Sequence, residues 1–287
     1  MKQKISVVIN TLNEEVNLPY ALRSVHSWAD ELVVVDMYSE DRTVEIAKQY
    51  GAKIYYHKRI AAFDGARQFA IEQASNEWIL ILDADEEISP NLAMSINDII
   101  QEDQFDVIEL PRANLALSGF APHESGFPEY HKRAFKKKFV KDGYKGKIHT
   151  FFQFTPAARI TKITASYPDM CVRHYTSPTV SAFFYKINRY TSVEAVDRYN
   201  SNTNNVMLIA LLLFRPLKTF FIHYVKRQGF RDGWRGFWLS VIFFIYELMT
   251  VAKIWEIKDN CGHQPTDDGA LERMREHVKS CSRKSVW

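Results

Sequence analysis

Short apolar runs alternate with amphipathic stretches along the first 110 residues of the chain. Runs of about four to eight residues that are rich in β-branched side chains and bounded by polar residues are typical of buried strands. Strands are therefore predicted at residues 4–9, 31–36, 52–57, 77–83 and 105–110.

Between the predicted strands, apolar residues recur at helical spacing. Leu18, Leu22 and Val25 stand at i, i+4 and i+7 after Asn17, a candidate N-cap. Further helices are predicted over 41–51, over 65–74 and from Ser89-Pro90 onwards. Strands and helices that alternate in this way predict an α/β fold, a Rossmann-like and mostly parallel sheet flanked by helices.

The rest of the chain follows other patterns. Residues 112–179 are aromatic and basic and carry several glycines, so irregular structure is predicted there. From residue 180 onwards, long apolar and aromatic stretches predict a helical extension. The sequence thus predicts two domains, residues 1–179 and residues 180–287.

Composition narrows the class of protein. Charged residues make up 25% of the chain and hydrophobic residues 46%, which is typical of a folded globular protein. The three cysteines form no C-x-x-C pair, which favours a reducing compartment over a disulfide scaffold. The apolar run at 5–9 is too short for a signal peptide, so a cytoplasmic location is expected.

Charge is distributed unevenly along the chain. Residues 68–111 contain eleven acids and no Lys or Arg, whereas residues 132–147 contain eight bases and one acid. This asymmetry suggests a region that binds a cation and faces a region that binds anions. Two solvated faces of opposite charge would give the same pattern.

Polar residues follow the predicted strands, at the sheet edge where ligands of open α/β sheets bind. The turn after the first strand reads NTLNEE and lacks the glycines of a dinucleotide-binding loop, and no phosphate-binding G-x-x-x-x-G-K-[ST] loop occurs. Asp83 and Asp85 follow the strand at 77–83 with one residue between them. Two such carboxylates suit Mg²⁺ or Mn²⁺, which prefer oxygen ligands and share them with phosphates.

The stretches ISVVINTLNEEVNLPYALRSV, ADELVVVDMYSEDRTVEIAKQYGAKI and GARQFAIEQASNEWILILDADEEISP resemble family 2 glycosyltransferases, which have the GT-A fold. The resemblance is dense over residues 4–110. The later pieces PEYHKRAFKK and RHYTSPTVSAFFYKINRYTSVEA are similar to a bacterial branch related to lipopolysaccharide-core glucosyltransferases.

The resemblance implies a set of roles along the chain. Asp85 would be the direct ligand of Mn²⁺ or Mg²⁺, with Asp83 and His174 as further ligands. Asp36 would read uracil and ribose, although an acid there can also belong to a helix start. The donor-binding residues that it implies are Thr11, Asn13, Glu14, Asp36, Asp64, Arg67, Asp83 and Arg133.

An inverting transferase also needs a carboxylate that takes the proton of the acceptor hydroxyl. The family often shows P-D-x-Q-x-R, and the matching run here is PEYHKR (128–133). Glu129 is therefore the candidate base, with Glu124 as its competitor, and Arg133 could hold the leaving diphosphate.

These features predict an inverting, metal-dependent hexosyltransferase that moves a hexose from a UDP-sugar to a glycan or lipid-linked acceptor in cell-envelope polysaccharide synthesis. A noncatalytic membrane-associated assembly subunit of the same fold is an alternative, and a nucleotidyltransferase is another. A nucleotidyltransferase would need a glycine-rich, basic loop after the first strand to hold a triphosphate, and the loop NTLNEE is neither glycine-rich nor basic.

The C-terminal helices suggest a partner. Bases precede the apolar stretch 236–255, which favours a peripheral contact with the inner face of the cell membrane, while Glu247 and Lys253 argue against a full span. A helix pair packed on the first domain or in a homo-oligomer is the alternative. No nucleic-acid-binding module is recognisable.

Overall fold

A computed structural model describes residues 2–59, 64–117, 119–141, 153–260 and 263–264 of the 287-residue chain, except for the side chains of residues 64 and 65. The chain divides into two compact units, Met1–Pro178 and Thr179–Trp287. This division lies one residue before the predicted boundary after residue 179.

The described part of the first unit contains ten strands in one sheet, and all five predicted strands are among them. They are β1 (Ile5–Thr11), β2 (Glu31–Asp36), β3 (Lys53–Tyr56), β4 (Trp78–Asp83), β5 (Glu86–Ile88), β6 (Val107–Ala116), β7 (Gly119–Phe120), β8 (Glu129–Lys136), β9 (Ile160–Lys162) and β10 (Val172–Ser177).

Four helices lie between the strands of the first unit at the predicted places, and a short fifth helix was not predicted. Pro90 occupies the first position of α4, where its missing N–H costs nothing, and Asp103 ends that helix in the left-handed region, at φ 55°. The helices are α1 (Leu18–Val25), α2 (Thr43–Gln49), α3 (Asp64–Gln73), α4 (Pro90–Glu102) and the short α5 (Pro122–Ser125).

The sheet has the order β3-β2-β1-β4-β8-β6-β10-β5, and β7 and β9 pair with β6. Strands β3, β2, β1 and β4 are parallel, as predicted. Strand β8 is antiparallel to both β4 and β6, and β10 is parallel to β6. The sheet is therefore a mixed one, parallel in the first half and mostly antiparallel in the second.

Both faces of the sheet are covered, because alternate residues of each strand point to opposite faces. On one face, Val7 and Leu80 belong to a core that includes Leu22 of α1 and Ile96 of α4. On the other face, the core contains Val8, Val33 and Ile79 with Ala70 of α3. The α/β class with a helical C-terminal extension is thus confirmed.

The prediction of irregular structure over 112–179 was wrong in its described part. Strand β6 continues to Ala116, and β8 and β10 pair on either side of it. These strands carry Arg112, Glu129 and His174 among their half-buried side chains. Charged residues at buried positions obscure the apolar alternation by which a strand is recognised in a sequence.

The second unit contains α6 (Val180–Arg198), α7 (Asn205–Phe221) and α8 (Gly233–Asp259). A cluster of Ala195, Leu208, Val251, Ile254 and Ile257 joins the three helices. Lys258 Nζ, near the end of α8, donates to Asn205 Oδ1 at the start of α7 at 2.7 Å, so α7 and α8 form an antiparallel hairpin.

Charged residues inside the helical unit pair with one another. Glu247 of α8 accepts hydrogen bonds from Arg198 of α6, the shorter at 2.9 Å, and lies 3.8 Å from Arg215 of α7. Lys253 Nζ donates to the backbone carbonyl oxygen of Asn188 on α6 and to nearby side-chain oxygens of the same helix. The charges that interrupt the apolar stretch of α8 therefore bind neighbouring helices.

Two segments of the described chain are long and apolar enough to cross a membrane, Asn205–Lys226 and Gly229–Asp259. Each has a mean hydropathy of 1.7. The core helix of a soluble protein can meet the same criteria. However, only 17% of the apolar window of the first segment and 33% of that of the second are buried within the structure.

We expect Gly236→Ala to destabilise the helical unit. A Cβ atom at this buried position would lie 2.0 Å from the carbonyl oxygen of Gly229, and backbone atoms cannot give way as a flexible side chain can. The expected loss is about 1–3 kcal/mol of unfolding free energy, measured by urea denaturation. Ala252 is an exposed residue of the same helix, and Ala252→Ser should change the unfolding free energy by less than about 0.5 kcal/mol. Equal stability of the two variants would contradict the close backbone approach.

Candidate active site

The loops after β1 and β2 are joined by a buried carboxylate. The register pairs Thr11 with Asp36 at the carboxyl ends of these parallel strands. Asp36 is fully buried, and its Oδ1 accepts hydrogen bonds from the hydroxyls of Thr11 at 3.0 Å and of Ser39 at 2.5 Å. Its Oδ2 accepts from the backbone N–H of Ser39 at 2.8 Å. Asp36 therefore fixes the loop that follows its own strand.

The loop after β1 is bound to the loop after β2 by further hydrogen bonds. Asn13 adopts a left-handed conformation, at φ 56°, its N–H donates to Ser39 Oγ, and its Oδ1 accepts from the N–H of Glu40, both at 2.8 Å. The N–H of Glu14 donates to Thr43 Oγ1 at 2.8 Å. The structure thus brings Thr11, Asn13 and Glu14 to the edge that Asp36 occupies.

Asp83 lies at the end of β4 between two arginines. Arg67 of α3 donates to its Oδ1 at 2.6 Å, and Arg133 of β8 donates to its Oδ2 at 2.9 Å. Burial opposes ionisation of Asp83, but the charges of Arg133 and Arg67 outweigh it and hold the pKa of Asp83 well below its usual range. Both oxygens of this carboxylate are thus engaged by guanidinium groups.

Asp85 lies beside a histidine. Its Oδ2 lies 3.3 Å from Nε2 of His174 on β10, and its carbonyl accepts from the N–H of Tyr175 at 2.9 Å. A carboxylate oxygen and an imidazole nitrogen are ligands that Mn²⁺ accepts. The structure therefore brings the predicted ligands Asp85 and His174 together.

Asp85 and His174 fit a metal ion that also binds the phosphate oxygens of a ligand. The described residues contain no preformed cluster of three or more His, Cys, Asp or Glu side chains that could hold an ion. Asp85 and His174 supply one oxygen and one nitrogen, which leaves coordination positions for phosphate oxygens. Asp83, the third predicted ligand, is neutralised by its two arginines.

Glu129, the candidate base, lies at the start of β8 opposite Arg112 of β6. Its Oε2 accepts hydrogen bonds from Arg112 Nη2 at 2.7 Å and Asn114 Nδ2 at 2.9 Å, and its Oε1 lies 3.3 Å from His131 Nε2. The contact with His131 lowers the pKa of Glu129 most, burial opposes it, and Arg112 lowers it further, so the pKa lies far below that of an ordinary glutamate.

Asn114 of β6 connects the candidate base to the candidate metal ligands. Its Nδ2 donates to Glu129, and its Oδ1 lies 2.7 Å from Nδ1 of His174. Since an amide oxygen only accepts, this contact places a proton on Nδ1, so the neutral imidazole has its lone pair on Nε2, towards Asp85. One side chain thus orients both groups.

Sequence reasoning missed three residues of this network: Glu86, Arg112 and Asn114. Glu86 is buried, and its Oε1 lies 3.3 Å from Arg133 and 3.5 Å from Arg112. Its Oε2 accepts from the N–H of Asp83 at 3.0 Å. The DADEE run gives Glu86 a signal, because the acid directly follows the Asp83–Asp85 pair.

The two remaining predicted residues are Glu124 and Asp64. Glu124, the competing base, is buried on α5. Asp64 is the first residue of α3, but its side chain lies outside the described part of the structure. Residues 118 and 142–152, within the segment 112–179 that was predicted to be irregular, also lie outside the described residues.

A cleft of about 490 Å³ opens at the opposite, amino-terminal edge of the parallel strands. Its central acid, Glu31, accepts hydrogen bonds from Lys53 at 2.6 Å and from Ser75 and Ser6. Although burial opposes ionisation, these bonds lower the pKa of Glu31 to about 2. The acid is already satisfied within the fold, so the candidate site is the network at the carboxyl edge.

Known proteins are similar to this chain in sequence. The family described as glycosyl transferase family 2 matches residues 6–160. An uncharacterized glycosyltransferase of Rickettsia typhi is 31% identical over 268 residues, which cover 89% of this chain and 88% of that protein. A lipopolysaccharide core biosynthesis glycosyltransferase of Rhizobium meliloti is 24% identical, with coverage of 94% and 98%.

Solved structures resemble the chain more distantly. Staphylococcus aureus TarS has a TM-score of 0.45 at 16% identity, with 89% of this chain and 55% of that one covered. Glucosyl-3-phosphoglycerate synthase from Mycobacterium tuberculosis, in complex with Mn²⁺, UDP and phosphoglyceric acid, has a TM-score of 0.34 at 20% identity, with coverage of 39% and 43%. The match to these two solved chains thus spans about half of their length or less.

The family match covers more than half of the chain, and the Rickettsia relative matches nearly all of it. The sheet supplies the α/β framework, and the acids at its carboxyl edge stand where the resemblance implies a sugar-transfer site. The chain therefore belongs to glycosyl transferase family 2 and is a glycosyltransferase of the GT-A fold.

Proposed function

We propose that the protein is an inverting, metal-dependent hexosyltransferase that uses a nucleotide-diphosphate sugar, most simply a UDP-hexose. One observation carries the proposal. A continuous set of polar contacts runs from Asp85 through His174 and Asn114 to Glu129. It connects a pair of metal-type ligands to a carboxylate placed to act as a base.

Glu129 takes the proton of the acceptor hydroxyl in this proposal. Arg112, Asn114 and His131 hold the carboxylate ionised and fixed in direction, which is the form that accepts a proton. A carboxylate of low pKa does not deprotonate a resting alcohol. The hydroxyl becomes acidic as its oxygen bonds to the anomeric carbon, so proton transfer and attack take place in one displacement.

The donor lies along the edge formed by β1, β2 and β4 in this proposal. Thr11, Asn13 and Glu14 line the nucleotide end, and Arg67, which Asp83 orients through an ion pair, binds the diphosphate. A direct contact between Asp36 and the nucleotide requires Ser39 to give up its hydrogen bonds to that carboxylate, a rearrangement that donor binding would drive. Arg133 can turn from Asp83 to the leaving diphosphate as negative charge accumulates there.

Mn²⁺ or Mg²⁺ bound by Asp85 and His174 would offset the charge that builds up on the leaving diphosphate. The chain's own task is to present the lone pair of His174 Nε2, and Asn114 does so by accepting a hydrogen bond from Nδ1–H. Asp83 contributes to the site through its ion pairs with Arg67 and Arg133.

We expect two substitutions of Asn114 to separate these tasks. Asn114→Leu removes both hydrogen bonds, so Mn²⁺ affinity and transfer should each fall by about 10–100-fold. Asn114→Asp keeps an acceptor for His174, so Mn²⁺ affinity should stay within a few-fold. Its new charge faces Glu129 and raises the pKa of that base, so the acid limb of the pH–rate profile should move to higher pH.

Mn²⁺ binding measured by calorimetry and transfer rates measured over pH test this expectation. Asn97→Leu on α4 serves as the matched control and should leave both unchanged. If Asn114→Leu bound Mn²⁺ as the wild type does, Asn114 would not orient His174.

We also propose the acceptor and the location. The acceptor is a hydroxyl of a glycan or a lipid-linked sugar in cell-envelope polysaccharide synthesis, which agrees with the name of the Rhizobium relative. The site of action is the inner face of the cell membrane, with the exposed apolar helices of the second unit as the peripheral contact. Formation of a homo-oligomer stays a prediction.

A donor screen tests the proposed reaction. UDP- and GDP-sugars are incubated with the full chain, Mn²⁺ and, in parallel, a chelator, and both donor hydrolysis and melting temperature are followed. A UDP-hexose should raise the melting temperature in the presence of Mn²⁺, because a ligand that binds the native state stabilises it. Hydrolysis at the same rate with the chelator would refute metal dependence.

A further inference from the structure

The outer side of α7 is an apolar surface in contact with solvent. The exposed residues Val206, Ile209, Leu213, Leu217 and Phe221 follow one another at intervals of three or four, so they share one side of the helix, and the exposed Phe214 adjoins Leu213. Val206 is 77% exposed and Phe214 72%. We define the α7 outer face as Val206, Ile209, Leu213, Phe214, Leu217 and Phe221.

Single exposed apolar residues are ordinary on protein surfaces, but a contiguous row of large ones marks a binding surface. The opposite side of α7 already contributes Leu208 to the core of the helical unit, so the outer face is not needed for that core. Among the charged residues of α7, Arg215 faces Glu247 of α8, while Lys218 is exposed at the margin of the outer face. An apolar surface of the length of the α7 outer face is suited to contact with the hydrocarbon chains of lipids.

The connection between α7 and α8 supplies polar and aromatic groups next to this face. We define the hairpin tip as residues 225–238, in which Phe230, Trp234 and Trp238 are exposed, Trp234 to 76%. Its exposed bases are Lys226, Arg227, Arg231 and Arg235, against one acid, Asp232. Tryptophan beside Lys and Arg is typical of the boundary between lipid headgroups and acyl chains.

We infer that the α7 outer face and the hairpin tip dock on an anionic phospholipid bilayer, with the apolar face at the level of the first acyl carbons and the bases among the headgroups. Charge complementarity favours this occupant, because the tip carries four exposed bases and one acid. Lys218 favours docking over spanning, since a charged amine within a spanning segment is costly, whereas in a helix that lies along the surface it reaches the headgroups. The inference deepens the membrane contact proposed above.

Vesicle flotation of the full chain tests the inference. Binding to phosphatidylcholine vesicles that contain phosphatidylglycerol should exceed binding to phosphatidylcholine alone and should weaken with added salt. Leu213→Glu/Leu217→Glu should lower the binding roughly tenfold or more, because two exposed leucines that would enter the acyl-chain region are replaced by charges. Lys226→Gln/Arg231→Gln should lower it by a similar factor and reduce its salt dependence.

Matched controls separate the surface from charge in general. Val16→Glu/Met94→Glu places the same two charges at exposed apolar positions of the first unit and should bind vesicles as the wild type does. Far-ultraviolet circular dichroism checks that each variant keeps its helices. The altered positions are exposed, so folding is not expected to depend on them.

Three results would overturn the inference. Undiminished flotation of the α7 double variant would place the contact elsewhere. Conversion of a dimer to a monomer by that variant, with flotation unchanged, would assign the face to a second copy of the chain. Retention in vesicles after alkaline carbonate washing would show an integral protein. Donor hydrolysis, measured on the same samples without vesicles, reports on the transferase proposal separately.

Discussion

Asp85→Ala is expected to abolish sugar transfer and Mn²⁺-dependent donor binding while the fold persists. Asp85 pairs with His174 at 3.3 Å, and its side chain is about one quarter exposed, so its removal leaves no buried cavity. Loss of a group that holds a metal should lower the rate by about a hundredfold or more, since even the outer partners of metal ligands commonly account for 10–100-fold. Transfer rates and the Mn²⁺-dependent shift of the melting temperature with UDP measure the two effects.

Glu87→Ala is the matched control for this substitution. Glu87 lies two residues further along the chain, is about as exposed as Asp85, and faces Arg173 at 3.9 Å. Its replacement removes the same charge two residues away, in strand β5, so transfer should change little. If Asp85→Ala transferred sugar at the rate of the wild type, the proposed site would be wrong. If Glu87→Ala were equally inactive, general charge would explain the loss.

Glu129→Gln should lower the turnover rate by about 10²–10⁴-fold, which is the usual contribution of a positioned general base. The amide keeps the shape of the side chain but cannot take a proton. Donor binding should persist, because Glu129 contacts Arg112, Asn114 and His131 rather than Asp83 or Asp85. Turnover rates and UDP-sugar affinity, measured separately, distinguish loss of chemistry from loss of binding.

Glu124→Gln is the counterpart that decides between the two candidate bases. It should reduce stability before it reduces turnover, since Glu124 is buried on α5. A folded Glu124→Gln variant without turnover, next to an active Glu129→Gln, would assign the base to Glu124.

The pH dependence gives a further test of Glu129. A base acts when deprotonated, so transfer is lost as the pH falls through its pKa. The contacts with His131 and Arg112 lower this pKa, so the acid limb should lie below the range of an ordinary glutamate. Arg112→Met removes one of these charges and should move the limb to higher pH.

The first half of the fold could be predicted because each of its strands and helices is marked by a pattern within its own short stretch of sequence. Strands β1, β2 and β4 are buried on both faces and read as continuous apolar runs, and the helices between them carry their own spacing and capping signals. Strands β8 and β10 could not be found in this way. They place Glu129, Arg133 and His174 inside the sheet, where the polar residues pair with one another across strands.

The same limit applies to the site. The ends of the predicted strands and the resemblance together named Asp83, Asp85, Arg67, Arg133, Glu129 and His174, and the structure joins them in one network. Asn114 and Arg112 lie on a strand whose register with β8 and β10 no short sequence pattern encodes. Their importance emerges only from which residues stand opposite them.

The order of the strands has an evolutionary consequence. Strand β4 separates β3, β2 and β1, whose loops are proposed to bind the nucleotide, from β8, β6 and β10, which hold Glu129, Asn114 and His174. Each group is knit internally, and Asp83 at the end of β4 touches both through Arg67 and Arg133. Substitutions on the side of β8, β6 and β10 can therefore change the preferred acceptor during evolution, while the side of β3, β2 and β1 keeps the same donor. Asp83 is the residue that connects the two sides.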